Sequence, residues 1–189
     1  TYSAAFRREL FVSLGGFDES FPTASVEDQE FSFRMAEQGC RMCFVPTARV
    51  IHRHATSLRT YAKKKFRIAY YKSYLLVRHP DRVRGDTHTP PTLVYQIPLT
   101  YLLPVLLAAA SRWPAATWFF AGAALLDLVC MSGTLTVCRN REPALVPLVP
   151  ILLLARSLAL GAGLLCGTLR FRLPIMKTRT DRSRNDKNK

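Results

Sequence analysis

The fold of the first part of the chain follows from one acidic run, Ser25-Val26-Glu27-Asp28-Gln29-Glu30-Phe31-Ser32-Phe33-Arg34. The run contains three carboxylates, those of Glu27, Asp28 and Glu30. Apolar residues follow at helical spacing, because Met35 comes four residues after Phe31. Unpaired backbone N–H groups and the helix dipole favour negative charge at a helix start, so the run predicts a helix that begins near Glu27. Carboxylates in this place either cap the helix or belong to a site, and spacing alone leaves both interpretations open.

Further motifs surround this run in a fixed order. They are Ala5-Phe6-Arg7-Arg8-Glu9-Leu10-Phe11, Gly15-Gly16-Phe17-Asp18-Glu19-Ser20-Phe21, Gly39, Pro46 and His52. Together they resemble the second half of the family 2 glycosyltransferases, which are inverting enzymes of the GT-A fold that use nucleotide-diphosphate sugars. The resemblance covers about residues 1 to 90. It implies an α/β fold class: the C-terminal part of a GT-A catalytic domain over residues 1–57, followed by an α-helical transmembrane region.

The resemblance also assigns roles to the acidic residues. In that family the Asp of the Glu-Asp pair is the general base that takes the proton of the acceptor hydroxyl, and Asp28 is its match. An alcohol is a poor nucleophile at neutral pH, and a positioned carboxylate accelerates its attack by about 10²- to 10⁴-fold. Glu27 is expected to orient Asp28 or to bind an acceptor hydroxyl. Glu30 is expected to face elsewhere and to pair with Arg34 on the helix surface.

The run from Arg41 to Ile51 predicts an edge or bent strand, because it contains β-branched residues and Pro46. His52 follows it directly. In several GT-A enzymes a histidine at the end of the corresponding strand helps bind the divalent cation, Mg or Mn, that holds the sugar-nucleotide pyrophosphate. The resemblance therefore makes His52 a candidate metal ligand, with a histidine that merely packs at a strand end as the alternative. His54 has no assigned role.

Two motifs of the GT-A fold are absent from the sequence: an Asp-x-Asp and a glycine-rich phosphate loop. Both normally precede the part of the domain that this chain resembles. We therefore expect a C-terminal fragment of a longer enzyme, inactive alone, with most ligands of the cation outside it.

The Gln-x-x-Arg-Trp motif of processive synthases is also absent. This favours transfer of one sugar to a lipid-linked or polysaccharide-precursor acceptor, as in bacterial exopolysaccharide or cell-envelope assembly. The alternative is a non-catalytic membrane scaffold or a small metal-handling transporter.

Charge is unevenly distributed along the chain, whose formal net charge is +14. Residues 1–52 hold seven Asp/Glu against five Lys/Arg, whereas residues 53–84 hold ten Lys/Arg against one acid and residues 170–189 hold eight against two. Such an excess of Lys and Arg over Asp and Glu occurs in nucleic-acid-binding proteins. Here, however, the basic clusters flank apolar segments, which is typical of contact with anionic membrane lipid. We expect membrane lipid and no nucleic acid as a partner.

Three apolar segments, residues 93–110, 114–137 and 144–169, predict transmembrane helices. The first would be about 27 Å long as a helix, close to the roughly 30 Å of a hydrocarbon core. The expected location is a cell inner or plasma membrane, multi-pass, with the catalytic domain cytoplasmic. Three crossings would put the basic tail, residues 170–189, on the far side, against the positive-inside rule. Either the third segment is re-entrant, interfacial or split near Arg156, or another span lies upstream without altering this conflict.

Residues 58–92 predict a basic amphipathic helix and a connector between the domain and the membrane. Aromatic residues recur at helical spacing, as in Phe66, Tyr70 and Tyr74, which favours a helix in the headgroup layer with its aromatic side down. A solvated helix packed on the catalytic domain is the alternative. In the first interpretation the side chains of Lys63, Lys64 and Lys65 meet the phosphates of a lipid-linked acceptor.

Two residues interrupt the apolar segments with charge, Asp127 and Arg156. Both fall near the middle of their segments, so antiparallel helices would bring them to the same depth. Pairing is the expected explanation for one charge of each sign, because an unpaired charge there costs about 2.5 to 3.5 kcal/mol. A polar path for the head group of the acceptor is the alternative.

Overall fold

The computed structural model describes residues 3–51, 56–80 and 91–186, with side chains up to residue 171. The chain divides into two compact units, Thr1–Thr56 and Ser57–Lys189. The first unit contains helices α1, Arg8–Ser13, and α2, Glu27–Glu37. The second contains α3, Leu58–Arg78; α4, Pro91–Ala110; α5, Pro114–Arg141; a 3₁₀ helix, Pro143–Leu148; and α6, Val149–Asp186.

Glycines end both helices of the first unit. Gly39 follows α2 with a φ of 68°, in the left-handed region that glycine adopts without strain. Its N–H donates to the carbonyl of Ala36 at 3.0 Å, and the N–H of Cys40 donates to the carbonyl of Met35 at 3.0 Å. This pair of bonds is a Schellman motif, and α1 ends in the same way around Gly15.

The predicted α/β fold class is wrong for the structure of this chain. The ranges that the structure describes contain helices and no strand. Residues 40–51, which include the predicted strand, lack regular secondary structure, and the side chains of Phe44 and Ile51 are fully or almost fully exposed. A strand exists only as part of a hydrogen-bonded ladder, and no second extended segment lies beside this one among the described residues. Strand-forming residues without a partner strand therefore stay irregular.

The three predicted apolar segments are helices in the structure. Within the described ranges, three helical stretches are long and apolar enough to span a membrane: Pro91–Ala110, Pro114–Arg141 and Pro143–Phe171. Pro91 and Pro114 stand at the first positions of α4 and α5, where the fixed φ of proline suits a helix and its missing N–H is not needed.

A tight turn joins α4 and α5. The N–H of Trp113 donates to the carbonyl of Ala109 at 2.9 Å. Helices joined by so short a loop are antiparallel neighbours, so α4 and α5 form a hairpin.

Helix α3 packs along α6 through glycines of α6. A side chain at Gly163 would collide with the backbone of Phe66, and one at Gly167 would collide with the backbone of Tyr70. Farther along, the ring of Phe171 meets that of Tyr74 at a centroid distance of 5.1 Å. Residue numbers rise together on both sides, so the two helices run in the same direction.

Candidate active site

Four phenylalanine rings position α2 in the first unit. Phe31, on α2, is fully buried. Its ring centroid lies 5.1 Å from those of Phe6 and Phe11 and 5.5 Å from that of Phe17. The edge-to-face and tilted contacts of these rings are the arrangements that aromatic quadrupoles favour. They fix α2 against α1 and thereby fix the start of α2, where the acidic residues lie.

Arg34 adds a polar clamp between α2 and the turn after α1. Its guanidinium donates to both carboxylate oxygens of Glu30 at 2.8 to 3.0 Å, and also to the carbonyls of Leu14 and Gly16. Glu30 is 2% exposed. The predicted Glu30–Arg34 pair is therefore present, but its carboxylate is buried and its guanidinium is only partly exposed. The spacing of four residues predicts the contact between Glu30 and Arg34. That this contact also joins α2 to the turn after α1 is visible only in the structure.

Glu27 and Asp28 occupy the first turn of α2. The backbone N–H of Ser25 donates to Glu27 Oε2 at 2.6 Å, so the carboxylate of Glu27 folds back over the entry to the helix. The N–H of Gln29 donates to Asp28 Oδ1 at 2.8 Å. Val26 stands at the N-cap without a side-chain cap, so carboxylates of the first turn bind backbone N–H groups in this region.

The three acidic residues therefore differ in what they can do. The carboxylate of Glu30 is neutralised by Arg34, and that of Glu27 is bound to the backbone before the helix. Asp28 is half-buried in the same turn, and its Oδ1 accepts from the backbone N–H of Gln29. A half-buried carboxylate on a helix held by packed rings is of the kind that can accept a proton from a hydroxyl.

The predicted metal ligand His52 lies outside the described residues, and so does His54. Among the residues that the structure does describe, no group of three or more His, Cys, Asp or Glu side chains could hold a metal ion. Those residues do not form a cation site by themselves. The role of His52 stays a prediction.

The candidate phosphate contacts Lys63, Lys64 and Lys65 lie in the first half of α3, within the second unit. Lys63 is exposed, whereas Lys64 and Lys65 are half-buried. The ammonium of Lys65 lies 5.4 Å from the centroid of the Tyr61 ring, within the range of a cation–π contact.

The predicted pair of Asp127 and Arg156 does not form. Arg156 Nη2 instead donates to Gln96 Oε1 on α4 at 2.7 Å, and Asp127 Oδ1 is buried without a hydrogen-bond partner. Counting along the segments gives a depth for each charge, but packing decides which way each side chain points around its helix. Gln96 was not identified from the sequence, although an amide within an apolar run is the signal that marks it.

The side chain of Tyr61, on α3, lies close to the guanidinium of Arg156. Burial raises the pKa of its hydroxyl, and the positive charge of Arg156 acts in the opposite direction.

Comparison with known proteins agrees with the motifs. Residues 1–70 match the family described as glycosyltransferase like family 2. The pre-mycofactocin glycosyltransferase of Mycobacterium tuberculosis (strain CDC 1551 / Oshkosh) is 38% identical over 76 residues, which cover 40% of this chain and 16% of that protein. The O-antigen biosynthesis protein RfbC of Myxococcus xanthus is 37% identical over 87 residues, which cover 46% of this chain and 7% of that protein. No solved structure matches the chain.

The chain thus spans less than a fifth of the length of these curated relatives. The predicted resemblance to family 2 is confirmed over the part of the chain that carries α1, α2 and the acidic run. Residues 1–70 are therefore similar to glycosyltransferase like family 2.

Proposed function

We propose that the protein to which this chain belongs is a membrane-attached glycosyltransferase. It moves a sugar from a nucleotide-diphosphate donor to a hydroxyl of an acceptor, with Asp28 as the general base. The observation that carries the proposal is the family match over residues 1–70, which includes Asp28 and the α1–α2 framework that holds it.

The proposed reaction is an inverting transfer. The acceptor oxygen forms a bond to the anomeric carbon of the donor as the bond from that carbon to the nucleotide diphosphate breaks. The acceptor proton passes to the carboxylate of Asp28, and the nucleoside diphosphate leaves with the bonding electron pair. Glu27 stands beside Asp28 in the same turn and supports its orientation or binds an acceptor hydroxyl.

We further propose that the acceptor is a lipid-linked or polysaccharide-precursor molecule. Three helices long enough to span a membrane follow the family segment, and a basic helix, α3, precedes the first of them. Helices of this kind would hold the family segment beside a membrane, where a lipid-linked acceptor is located. One relative is named for O-antigen biosynthesis. The proposed site of action is a bacterial inner membrane, with the catalytic domain cytoplasmic.

Membranes that contain the full-length protein test the proposal directly. Incubation with a panel of radiolabelled nucleotide-diphosphate sugars should release nucleoside diphosphate and put label into the organic-solvent extract or into a saccharide product. Membranes from cells without the protein are the control. No sugar transfer from any donor, by protein that is folded and correctly inserted, would contradict the proposal and favour the scaffold alternative.

The same assay tests the proposed part of His52 in binding a divalent cation. His52→Ala should raise the Mg²⁺ or Mn²⁺ concentration for half-maximal activity, because loss of an imidazole ligand weakens a site. An unchanged metal titration would leave His52 as a packing residue.

A further inference from the structure

Arg156, in the apolar stretch Pro143–Phe171, is a cation without a protein counter-ion among the described residues. No described carboxylate forms an ion pair with it, and its Nη2 donates instead to the neutral amide oxygen of Gln96 at 2.7 Å. Its Nε is buried and has no hydrogen-bond partner. Charged side chains within apolar spans are costly and are normally paired. An anion that is not a described side chain would therefore stabilise this guanidinium.

Gln96 supplies a further donor beside Arg156. Its side chain is 1% exposed, and its Nε2 has no hydrogen-bond partner although its Oε1 is bound by Arg156. The hydroxyl of Thr100, one turn later on the same face of α4, is likewise buried without a partner. Buried polar groups are nearly always hydrogen-bonded, and amide and guanidinium nitrogens can only donate. The cluster therefore matches a ligand that accepts hydrogen bonds and carries negative charge.

The first two turns of α3 lie beside this cluster. Tyr61 is close enough to Arg156 for the positive charge of the arginine to act on the pKa of its hydroxyl. Four of the eight residues from Leu58 to Lys65 are Lys or Arg. So many charges are not stable among acyl chains alone, so head groups or water reach this end of α3. A lipid phosphate there is within reach of Arg156.

An apolar groove between α3 and α6 adjoins the same place. It has a volume of about 540 Å³ and is lined by Leu58, Arg59, Ala62, Ala155, Leu158 and Ala159. Ala155 directly precedes Arg156, and Arg59 brings a second guanidinium to the groove. The other lining residues are apolar. A groove of this size, apolar with cations at its edge, is suited to a hydrocarbon chain that carries an anionic head group, and basic pockets between membrane helices bind such head groups.

We propose that Arg156, Gln96 and the groove form a binding site for the phosphate of a membrane lipid. The guanidinium of Arg156 and Nε2 of Gln96 donate to the phosphate oxygens, and Arg59 adds positive charge at the groove. Arginine suits this role because its planar guanidinium matches the geometry of a phosphate group. The hydrocarbon chain of the lipid lies in the groove.

Two kinds of lipid share this chemistry, an anionic phospholipid and a lipid-linked acceptor that carries a phosphate. The site lies within the second unit, Ser57–Lys189, and binding there does not require sugar transfer. A protein that binds the phosphate lipid but transfers no sugar would contradict the proposed function and leave this site in place.

Native mass spectrometry of the full-length protein, purified in detergent and stripped of lipid, tests the proposal. The protein is titrated separately with phosphatidylglycerol, with a polyprenyl monophosphate and with diacylglycerol, which lacks the phosphate. At least one of the two phosphate lipids should bind, and diacylglycerol should bind much more weakly. Tighter binding of phosphatidylglycerol would identify the ligand as a phospholipid, and tighter binding of the polyprenyl monophosphate would identify it as an acceptor lipid.

Gln96→Glu tests the site itself, because it gives Arg156 a counter-ion from within the protein. The variant keeps the size of the side chain and the oxygen that accepts from Nη2, so it should fold as well as the wild type. It removes the Nε2 donor and repels a phosphate, so its affinity for the phosphate lipid should fall by about tenfold or more. Arg139→Gln, at an exposed position near the end of α5, removes one positive charge elsewhere and is the matched control with unchanged affinity.

Equal affinity of the wild type, Gln96→Glu and Arg139→Gln for the phosphate lipids would overturn the proposal, and so would diacylglycerol binding as tight as theirs. If Gln96→Glu does not fold, Arg59→Gln, at an exposed position of α3, makes the same measurement. Loss of this cation should weaken binding by about fivefold, and unchanged affinity would refute the site.

Discussion

At the scale of single residues, the three carboxylates of the acidic run have different partners. Glu30 and Arg34 are neighbours on α2, as their spacing indicates, but Glu30 is buried and the partly exposed Arg34 is tied to the α1 turn. Glu27 closes the entry to the helix. Asp28 is the member of the run whose position suits proton transfer, and it is also the residue to which the family motif assigns that step.

Loss of Arg34 should destabilise the first unit. Arg34→Met leaves the carboxylate of Glu30 buried without its cation and removes the donors to the carbonyls of Leu14 and Gly16. Breaking a buried pair by removing one partner costs about 3 to 5 kcal/mol, and part of this applies here because Arg34 is partly exposed. Thermal unfolding of the purified full-length protein in detergent should show a clearly lower midpoint. Glu9→Gln, at an exposed position of α1, is the matched control and should change the midpoint little. An Arg34→Met protein as stable as this control would show that the clamp contributes nothing.

At the scale of elements, close contact between α3 and α6 depends on glycine. The Cβ of an alanine at position 163 would collide with the carbonyl of Phe66 and with the side chain of Ala69. In contrast, Gly133 of α5 has open space where a Cβ would be placed. Small residues let helix backbones approach each other in this way within membrane proteins.

Gly163→Ala should therefore separate α3 from α6, and overpacking of this kind costs about 1 to 3 kcal/mol. Gly133→Ala should be neutral or slightly stabilising, because alanine is favoured over glycine in a helix by about 1 kcal/mol. Thermal stability in detergent, together with protease sensitivity within α3, distinguishes the two variants. Equal stability of both would mean that the glycine contact does not hold the helices together.

At the scale of the whole molecule, the sequence predicts the helices well and their neighbours poorly. Helical periodicity and apolar length identify α2 and the three long helices, because those signals are local. The predicted strand is wrong because a strand depends on a partner that the described residues do not supply. The charge pair of Asp127 and Arg156 is wrong because spacing gives depth but not direction around a helix axis. The pairing of α3 with α6 depends on contacts between residues about a hundred positions apart, which no local pattern reveals.

The central claim is that Asp28 is the general base of a glycosyltransferase, and turnover of the full-length Asp28→Asn enzyme tests it most directly. The substitution keeps the size of the side chain and the oxygen that accepts from the backbone of Gln29, so folding and donor binding should be nearly unchanged. Removal of a general base should lower the turnover of sugar transfer by roughly two orders of magnitude or more. Wild-type turnover in Asp28→Asn would show that Asp28 only caps α2 and would contradict the account.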